Sequence, residues 1–233
     1  MLKYINFLKR LSLNLLSPSR SVISKDEYIK IARLIKNSKN ILNVGSGSNT
    51  VLGEKFWTLI DKNSSNIINL DIVPGENVDV VSSAEEIPFE GGQFDLVVCQ
   101  AVLEHVENPQ KVIFEIKRVL KTEGILYCTV PFLQGYHPDP NDFQRYTIQG
   151  MEKLLFSFNI LQRGVSSGPF SSLSWIIRDI LTIGGKGSFI YLGTRFISSI
   201  ISLPISLLDY LFPKTNSYIR NASEYYYLAK AKK

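Results

Sequence analysis

Cysteine and histidine are scarce in this chain, two of each in 233 residues. No CxxC pair occurs and no Cys and His stand at metal-ligand spacing, so no metal site is expected. Cys99 and Cys128 lie inside apolar, strand-like runs, Val97-Val98-Cys99 and Ile125-Leu126-Tyr127-Cys128. They are expected as buried, reduced thiols, which suits a reducing, cytoplasmic compartment. Arginine-rich arms and aromatic RNA-binding platforms are missing, so nucleic acid is not an expected partner. Internal repeats and low-complexity segments are missing as well. The apolar run Phe196–Phe212 is 17 residues long and carries Asp209, short of the roughly 20 residues that span a bilayer. The N-terminal apolar residues are interrupted by charge and no small-residue cleavage site follows, unlike a signal peptide.

What is present is a charge pattern. Residues 1–36 hold eight Lys/Arg against two Asp/Glu, residues 37–150 eight against fifteen, and residues 151–233 ten against four. Two basic, apolar ends flank an acidic centre. Basic and apolar character together point to an anionic membrane surface. Residues 1–16 fit an amphipathic helix, with Met1, Tyr4, Ile5, Leu8, Leu11 and Leu15 on one face and Lys3, Asn6, Lys9 and Arg10 on the other. Such a helix lies in a lipid interface or packs on its own domain. A second helix is expected over 25–37, with Ser24 as N-cap and Glu27 three residues on.

From residue 40 the pattern alternates. Strand-like runs at 41–44, 67–70, 78–81, 94–99 and 125–130 are separated by helical segments, including Pro109 to Leu120. This alternation predicts a parallel, doubly wound sheet. Thr147 caps a further expected helix to Phe156. Asn159 to Val165 and Glu224 to Lys230 read as the last strands.

Gly45 and Gly47 follow the first strand, where a missing Cβ lets the backbone approach a ligand. A dinucleotide site needs a third glycine for its pyrophosphate, and that position holds Thr50. Together with the absence of a Tyr-x-x-x-Lys pair, this argues against a nicotinamide-dependent reductase. Asp71 ends the second strand, 24 residues after Gly47, where an acid can accept both ribose hydroxyls. Gln100 and Ala101 lie just past the fourth strand, at the carboxyl edge where open α/β sheets bind ligands.

Asn43-Val44-Gly45-Ser46-Gly47, Asp71, Ala84-Glu85-Glu86-Ile87-Pro88-Phe89, Phe94-Asp95-Leu96-Val97-Val98, Leu103-Glu104-His105-Val106 and Glu115-Ile116-Lys117-Arg118-Val119-Leu120 occur in that order. In this order and spacing they resemble the class I S-adenosylmethionine-dependent methyltransferases of small-molecule type, over residues 40 to 150. The resemblance implies a Rossmann-like, seven-stranded, mostly parallel sheet with a strand six–seven hairpin, and S-adenosylmethionine as cofactor. Beyond Asn43, Gly45, Ser46, Gly47 and Asp71, it places Ile72 on the adenine face and Ser83, Ala84 and Glu85 at the adenine. It sets Gln100 and Ala101 beside the methionine portion. His105 either touches ligand or caps the local turn as a buried neutral histidine. Two departures stand out. The family commonly has an acid at position 43, which helps hold the methionine end, and an acid at position 83.

The loop from Pro131 to Thr147 is expected to carry the chemistry. Its His137-Pro138-Asp139-Pro140 and Arg145-Tyr146-Thr147 are similar to methyltransferases of bacterial surface-polysaccharide gene clusters. His137 suits a general base, oriented by Asp139 or Asp142. Arg145 suits an anionic group on the acceptor, and Tyr136 and Tyr146 suit the pocket wall. The same residues can instead staple a turn, with Arg145 paired to Asp142.

The expected organisation is a helical N-terminal extension (1–36) and a methyltransferase domain (37–233) with an apolar helical insertion at about 168–222. In the insertion, glycines at 184, 185 and 187 and Pro204 are expected breaks. It serves as a shield for a lipid-like substrate, an interfacial anchor, or a homodimer contact. The expected activity is methyl transfer to a hydroxyl of a sugar or lipid-linked surface-glycan precursor, at the inner face of the membrane. Methylation of a quinone or lipid-like ring is the alternative enzyme. A non-catalytic membrane-associated scaffold with the same fold is the alternative of another class.

Overall fold

A computed structural model describes residues 20–47, 54–60, 64–183, 189–212 and 214–232. The expected helix over 1–16 and the position of Thr50 lie outside the described residues. The chain divides into two compact units. The sheet unit holds residues 24–131, 137–164 and 225–233, and the second unit holds 132–136, 165–224 and, of the described N-terminal residues, 20–23. The boundary expected after residue 36 differs, because the first described helix clusters with the sheet.

Seven strands form one mixed, mostly parallel sheet in the order β3-β2-β1-β4-β5-β7-β6. They are β1 (Asn40–Val44), β2 (Asn66–Asp71), β3 (Val80–Val81), β4 (Phe94–Gln100), β5 (Leu120–Pro131), β6 (Phe158–Ser167) and β7 (Glu224–Ala231). β1 pairs in parallel with β2 and with β4, and β4 with β5. The fold is the Rossmann-like one expected. Strands with both faces covered read as continuous apolar runs. Accordingly Ile41, Leu42, Leu96, Val97, Val98, Leu126 and Cys128 have no exposed surface. The thiols of Cys99 and Cys128 are buried and free, and burial pushes both far above their ordinary pKa. Tyr127 stacks on Phe56, with ring centroids 4.1 Å apart.

Helix α1 (Lys25–Ile35) starts on the expected capping box. The Ser24 Oγ accepts from the Glu27 N–H at 3.2 Å, and the Glu27 Oε2 accepts from the Ser24 N–H at 2.8 Å. After the short helix α2 (Glu54–Trp57), helix α3 (Pro109–Val119) has Asn108 as N-cap and proline in its first turn, where the missing N–H costs nothing. Its Val112, Ile113, Ile116 and Val119 form one buried stripe, while Phe114 points to water. Thr147 caps helix α4 (Ile148–Leu154) as expected. β5 starts five residues earlier than the apolar run does. Glu123 at φ 68° and a register shift opposite Phe94/Leu96 absorb the polar Lys121-Thr122-Glu123 without ending the strand.

The second unit contains helices α5 (Pro169–Leu181), α6 (Phe189–Leu207) and α7 (Asn216–Arg220). Pro204 does not break α6 as expected. It stands in the last turn, so its missing N–H forfeits one bond near an end that frays anyway. The packing of α5 and α6 is inverted. Ser171, Ser172 and Ser174 of α5 and Ser198, Ser199, Ser202 and Ser206 of α6 are buried, and Ile176, Ile180, Phe196, Ile197 and Ile200 are exposed. Across the seam, Ser174 Oγ donates to the Ser202 carbonyl at 2.9 Å. Asp209 is buried and accepts from the Ser171 Oγ and N–H, the Phe170 N–H and the Tyr218 hydroxyl. It thereby closes the N-terminus of α5.

Candidate active site

The strand order reverses direction between β1 and β4, and open sheets bind ligands in the crevice at that point. The turn after β1 lies there. Gly45 sits at φ 68° and Gly47 at φ 63°, a left-handed conformation that a side chain disfavours. A Cβ on Gly45 would meet the Val102 Cγ2 at 2.2 Å. The N–H groups of Gly45 and Ser46 both donate to the Leu70 carbonyl, at 2.8 and 3.1 Å. That folds the loop over the end of β2. The Ser46 Oγ is buried and has no hydrogen-bond partner among the described residues. An orphaned hydroxyl in a glycine-cradled turn is what a polar ligand would satisfy.

Asp71 holds this loop. Its Oδ2 accepts from the Gly47 N–H at 2.7 Å and its Oδ1 from the Val73 N–H at 2.9 Å. A carboxylate has about four acceptor positions, so each oxygen keeps room for one hydroxyl. Ile72 beside it is 59% exposed, an apolar surface at the strand end. Ala84 is buried, Ser83 Oγ accepts from the Glu85 N–H, and Glu85 Oε1 accepts from the Asn108 N–H at 3.0 Å. Asn43 is buried, and its side chain donates to Asn69 Oδ1 at 3.0 Å. Asn69 in turn donates to Asp79. The family's usual acid at position 43 is thus replaced by one member of a cross-strand amide chain.

Gln100 ends β4, and Ala101 follows at φ 51°, rare for a residue with a Cβ. Its N–H donates to the Thr129 carbonyl at 3.1 Å. This kink turns the chain into Val102-Leu103-Glu104-His105. Glu104 is fully buried. His105 Nδ1 lies 2.5 Å from the Asn141 carbonyl oxygen, and its Nε2 lies 3.7 Å from Glu104 Oε1.

The loop after β5 folds onto that turn. The Phe143 N–H donates to the Glu104 carbonyl at 2.8 Å, and Gln144 Nε2 donates to the carbonyls of Leu103 and Val106. The result brings His137 beside His105, with ring centroids 5.4 Å apart and planes at 84°. Both histidines of the chain meet here. Asp142 organises the loop. It accepts from the His137 N–H at 2.8 Å and from both terminal nitrogens of Arg145. The Arg145 guanidinium, with the His137 N–H in support, holds the Asp142 carboxyl down to about 2.

The four residues expected to carry chemistry therefore fall into different environments. His137 is half-buried, and Arg145 Nη2 lies 3.2 Å from its Nδ1, with Asp142 Oδ2 at 3.8 Å. An arginine only donates, so in this arrangement Nδ1 accepts and the ring proton sits on Nε2. His137 becomes a base at Nε2 only if that proton moves to Nδ1, toward Asp142. Asp139 is exposed and away from this contact, so Asp142 is the carboxylate at His137. Arg145 is forked onto Asp142, the stapled-turn alternative. Tyr146 is buried and its hydroxyl donates to the Leu103 carbonyl at 2.8 Å. Burial, with Glu104 nearby, pushes its pKa far above the ordinary phenol. It braces the loop rather than lining a pocket. Glu104 was not expected at the site. Its place beside His105 in the Leu-Glu-His-Val run was the only sign of it.

Residues 42–128 match the family model described as a methyltransferase domain. An uncharacterized methyltransferase of Schizosaccharomyces pombe is 28% identical over 114 residues, covering 41% of each chain. An uncharacterized protein of Methanocaldococcus jannaschii is 44% identical over 45 residues, 19% of this chain and 22% of that one. This chain thus spans less than half the length of both curated relatives. Among solved structures, a Burkholderia thailandensis 1,6-didemethyltoxoflavin-N1-methyltransferase, with its substrate and S-adenosylhomocysteine bound, superposes with a TM-score of 0.54. It is 11% identical and the match covers 91% of this chain and 80% of that one, a likeness of fold. Over residues 42–128 the chain is similar to a methyltransferase domain, and its sheet order and glycine turn agree with the Rossmann-like fold of class I S-adenosylmethionine-dependent methyltransferases. S-adenosylmethionine is the cofactor of such a domain.

Proposed function

We propose that the chain transfers a methyl group from S-adenosylmethionine to a hydroxyl of a sugar or lipid-linked surface-glycan precursor, at the inner face of a membrane. The observation that carries the methyl-transfer reading is the turn after β1. Gly45 has no room for a Cβ, Ser46 Oγ is buried without a partner among the described residues, and Asp71 retains acceptor capacity. Asn43, Gly47, Ile72, Ser83, Ala84, Glu85, Gln100, Ala101 and His105 would complete the cofactor site. In the reaction an oxygen lone pair attacks the methyl carbon, the C–S pair returns to sulfur, and the hydroxyl proton leaves. The protein's part is alignment and proton removal. His137 would take that proton at Nε2, once Nδ1 has turned to Asp142. The polar side chains of His137, Asp139 and Asn141 on one loop favour a polar acceptor over a quinone ring.

The α5–α6 pair supports the membrane part of the reading. Water-soluble helix pairs bury apolar residues, whereas helix pairs in lipid pack on small residues and hydrogen bonds. Here serines are inside and isoleucines outside. Among the described residues no helix is long and apolar enough to cross a membrane, which leaves an interfacial placement. The basic excess of residues 151–233 would add attraction to anionic lipid.

Calorimetry with S-adenosylmethionine and S-adenosylhomocysteine tests the first part. Micromolar binding is expected, weakened at least tenfold in Asp71→Ala, and a folded protein that binds neither ligand overturns the enzyme reading in favour of a scaffold. Sedimentation with phosphatidylglycerol vesicles tests the second. Ile176→Asp with Ile200→Asp should abolish co-sedimentation, and a wild-type protein that stays in solution as a dimer would assign the apolar face to self-association.

A further inference from the structure

We propose that Glu104, His105 and His137 form a binding site for one divalent transition-metal cation. Each offers one ligand atom, and the three atoms lie within 4.8 Å of one another. Ligands about 2.1 Å from a zinc ion stand roughly 3.4 Å apart, so the three need to close by at most about 1.4 Å. Two imidazoles and one carboxylate leave a coordination position open, as in catalytic zinc sites, and suit borderline-soft ions better than magnesium. The burial is graded in the right sense. The Glu104 side chain is 1% exposed, that of His105 14% and that of His137 27%, so the carboxylate is the floor and the imidazoles face the entry.

The hydrogen bonds around the ligands fit as well. A backbone carbonyl only accepts, so His105 Nδ1, 2.5 Å from the Asn141 oxygen, carries a proton. With Nδ1 spent on that carbonyl, Nε2 is the nitrogen of His105 that faces the Glu104 carboxylate, 3.7 Å away. Metal-bound histidines commonly donate their second nitrogen to a carbonyl or carboxylate in this way. Ligation of His137 at Nε2 would put its proton on Nδ1, so Arg145 Nη2, 3.2 Å from Nδ1, has to give way and leave Asp142 Oδ2, at 3.8 Å, as the acceptor. Such an ion would supply a Lewis acid that lowers the pKa of a bound hydroxyl. Only that consequence rests on the methyl-transfer reading; the ion site does not.

Protein stripped with a chelator would be titrated with Zn²⁺ in a calorimeter and with Co²⁺ by visible absorption. One ion per chain is expected, with affinity weakened about 100-fold or more in Glu104→Gln and in His137→Asn. The second variant, on an outer loop, keeps the test valid if the buried change unfolds the protein. S-adenosylhomocysteine binding, measured on the same stripped wild-type sample, should persist. No ion bound by the folded wild type, with an imidazolium at His105 by NMR, overturns the proposal, as does equal binding by wild type and His137→Asn. Loss of S-adenosylhomocysteine binding beside an intact ion site would sink the methyl-transfer reading and leave this one standing.

Discussion

The sheet unit and the α5–α6 pair solve the same packing problem with opposite residues. Around β1, β4 and β5 the interior is mostly branched aliphatics and stacked tyrosines, with few buried polar side chains such as Asn43 and Thr129. Between α5 and α6 the interior is serine, and Ile176, Ile180 and Phe196 face outward. The first arrangement draws its stability from removing apolar surface from water. The second leaves apolar residues exposed and joins the helices through buried serines, with Ser174 Oγ donating to the Ser202 carbonyl. The comparison teaches that hydrophobicity alone does not mark a core, because in α5 and α6 the apolar residues are the exposed ones.

The comparison can be broken at several points. Ile116→Ala, in the fully buried stripe of α3, should cost about 2–5 kcal/mol by denaturant unfolding. Ser202→Leu, an enlargement of a buried seam position, should cost about 1–3 kcal/mol, because the helices have no room for the added atoms. A neutral or stabilising result there would show that the seam is loosely packed and that the inversion has no structural role.

Asp142 offers a pH test inside the sheet unit. Its folded pKa, about 2, lies below the ordinary 3.8, so its pairing stabilises the fold above about pH 4. That contribution fades as the pH falls toward 2. Asp142→Asn should therefore be less stable than wild type by about 2 kcal/mol at neutral pH, with the difference shrinking under acid titration. A constant difference across pH 2–5 would mean that the loop is held by something other than this carboxylate. The smallest effect is expected at Ile180→Ser on the outer face of α5. It should move stability by no more than about 0.5 kcal/mol, while weakening vesicle binding. A large loss of stability would place that face inside a protein contact.

The elements were largely legible before folding. Ser24 with Glu27, Pro109 after Asn108 and Thr147 are local signals, since a cap acts over three residues and needs no tertiary partner. Gly45, Gly47 and Asp71 were legible because their spacing follows from one strand–turn–helix–strand unit. The inversion of α5 and α6 was not, because serine and isoleucine alternate at helical spacing in either orientation.

Local composition and period thus determined the alternating strands and helices, the glycine turn and the polar loop after β5. Tertiary structure alone decided that Asp142 rather than Asp139 meets His137, that the buried Tyr146 hydroxyl bonds the Leu103 carbonyl, and that both histidines converge on buried Glu104. The physical reason is distance along the chain. His105 and His137 lie on different connections, and only the parallel pairing of β4 with β5 sets the ends of those connections side by side.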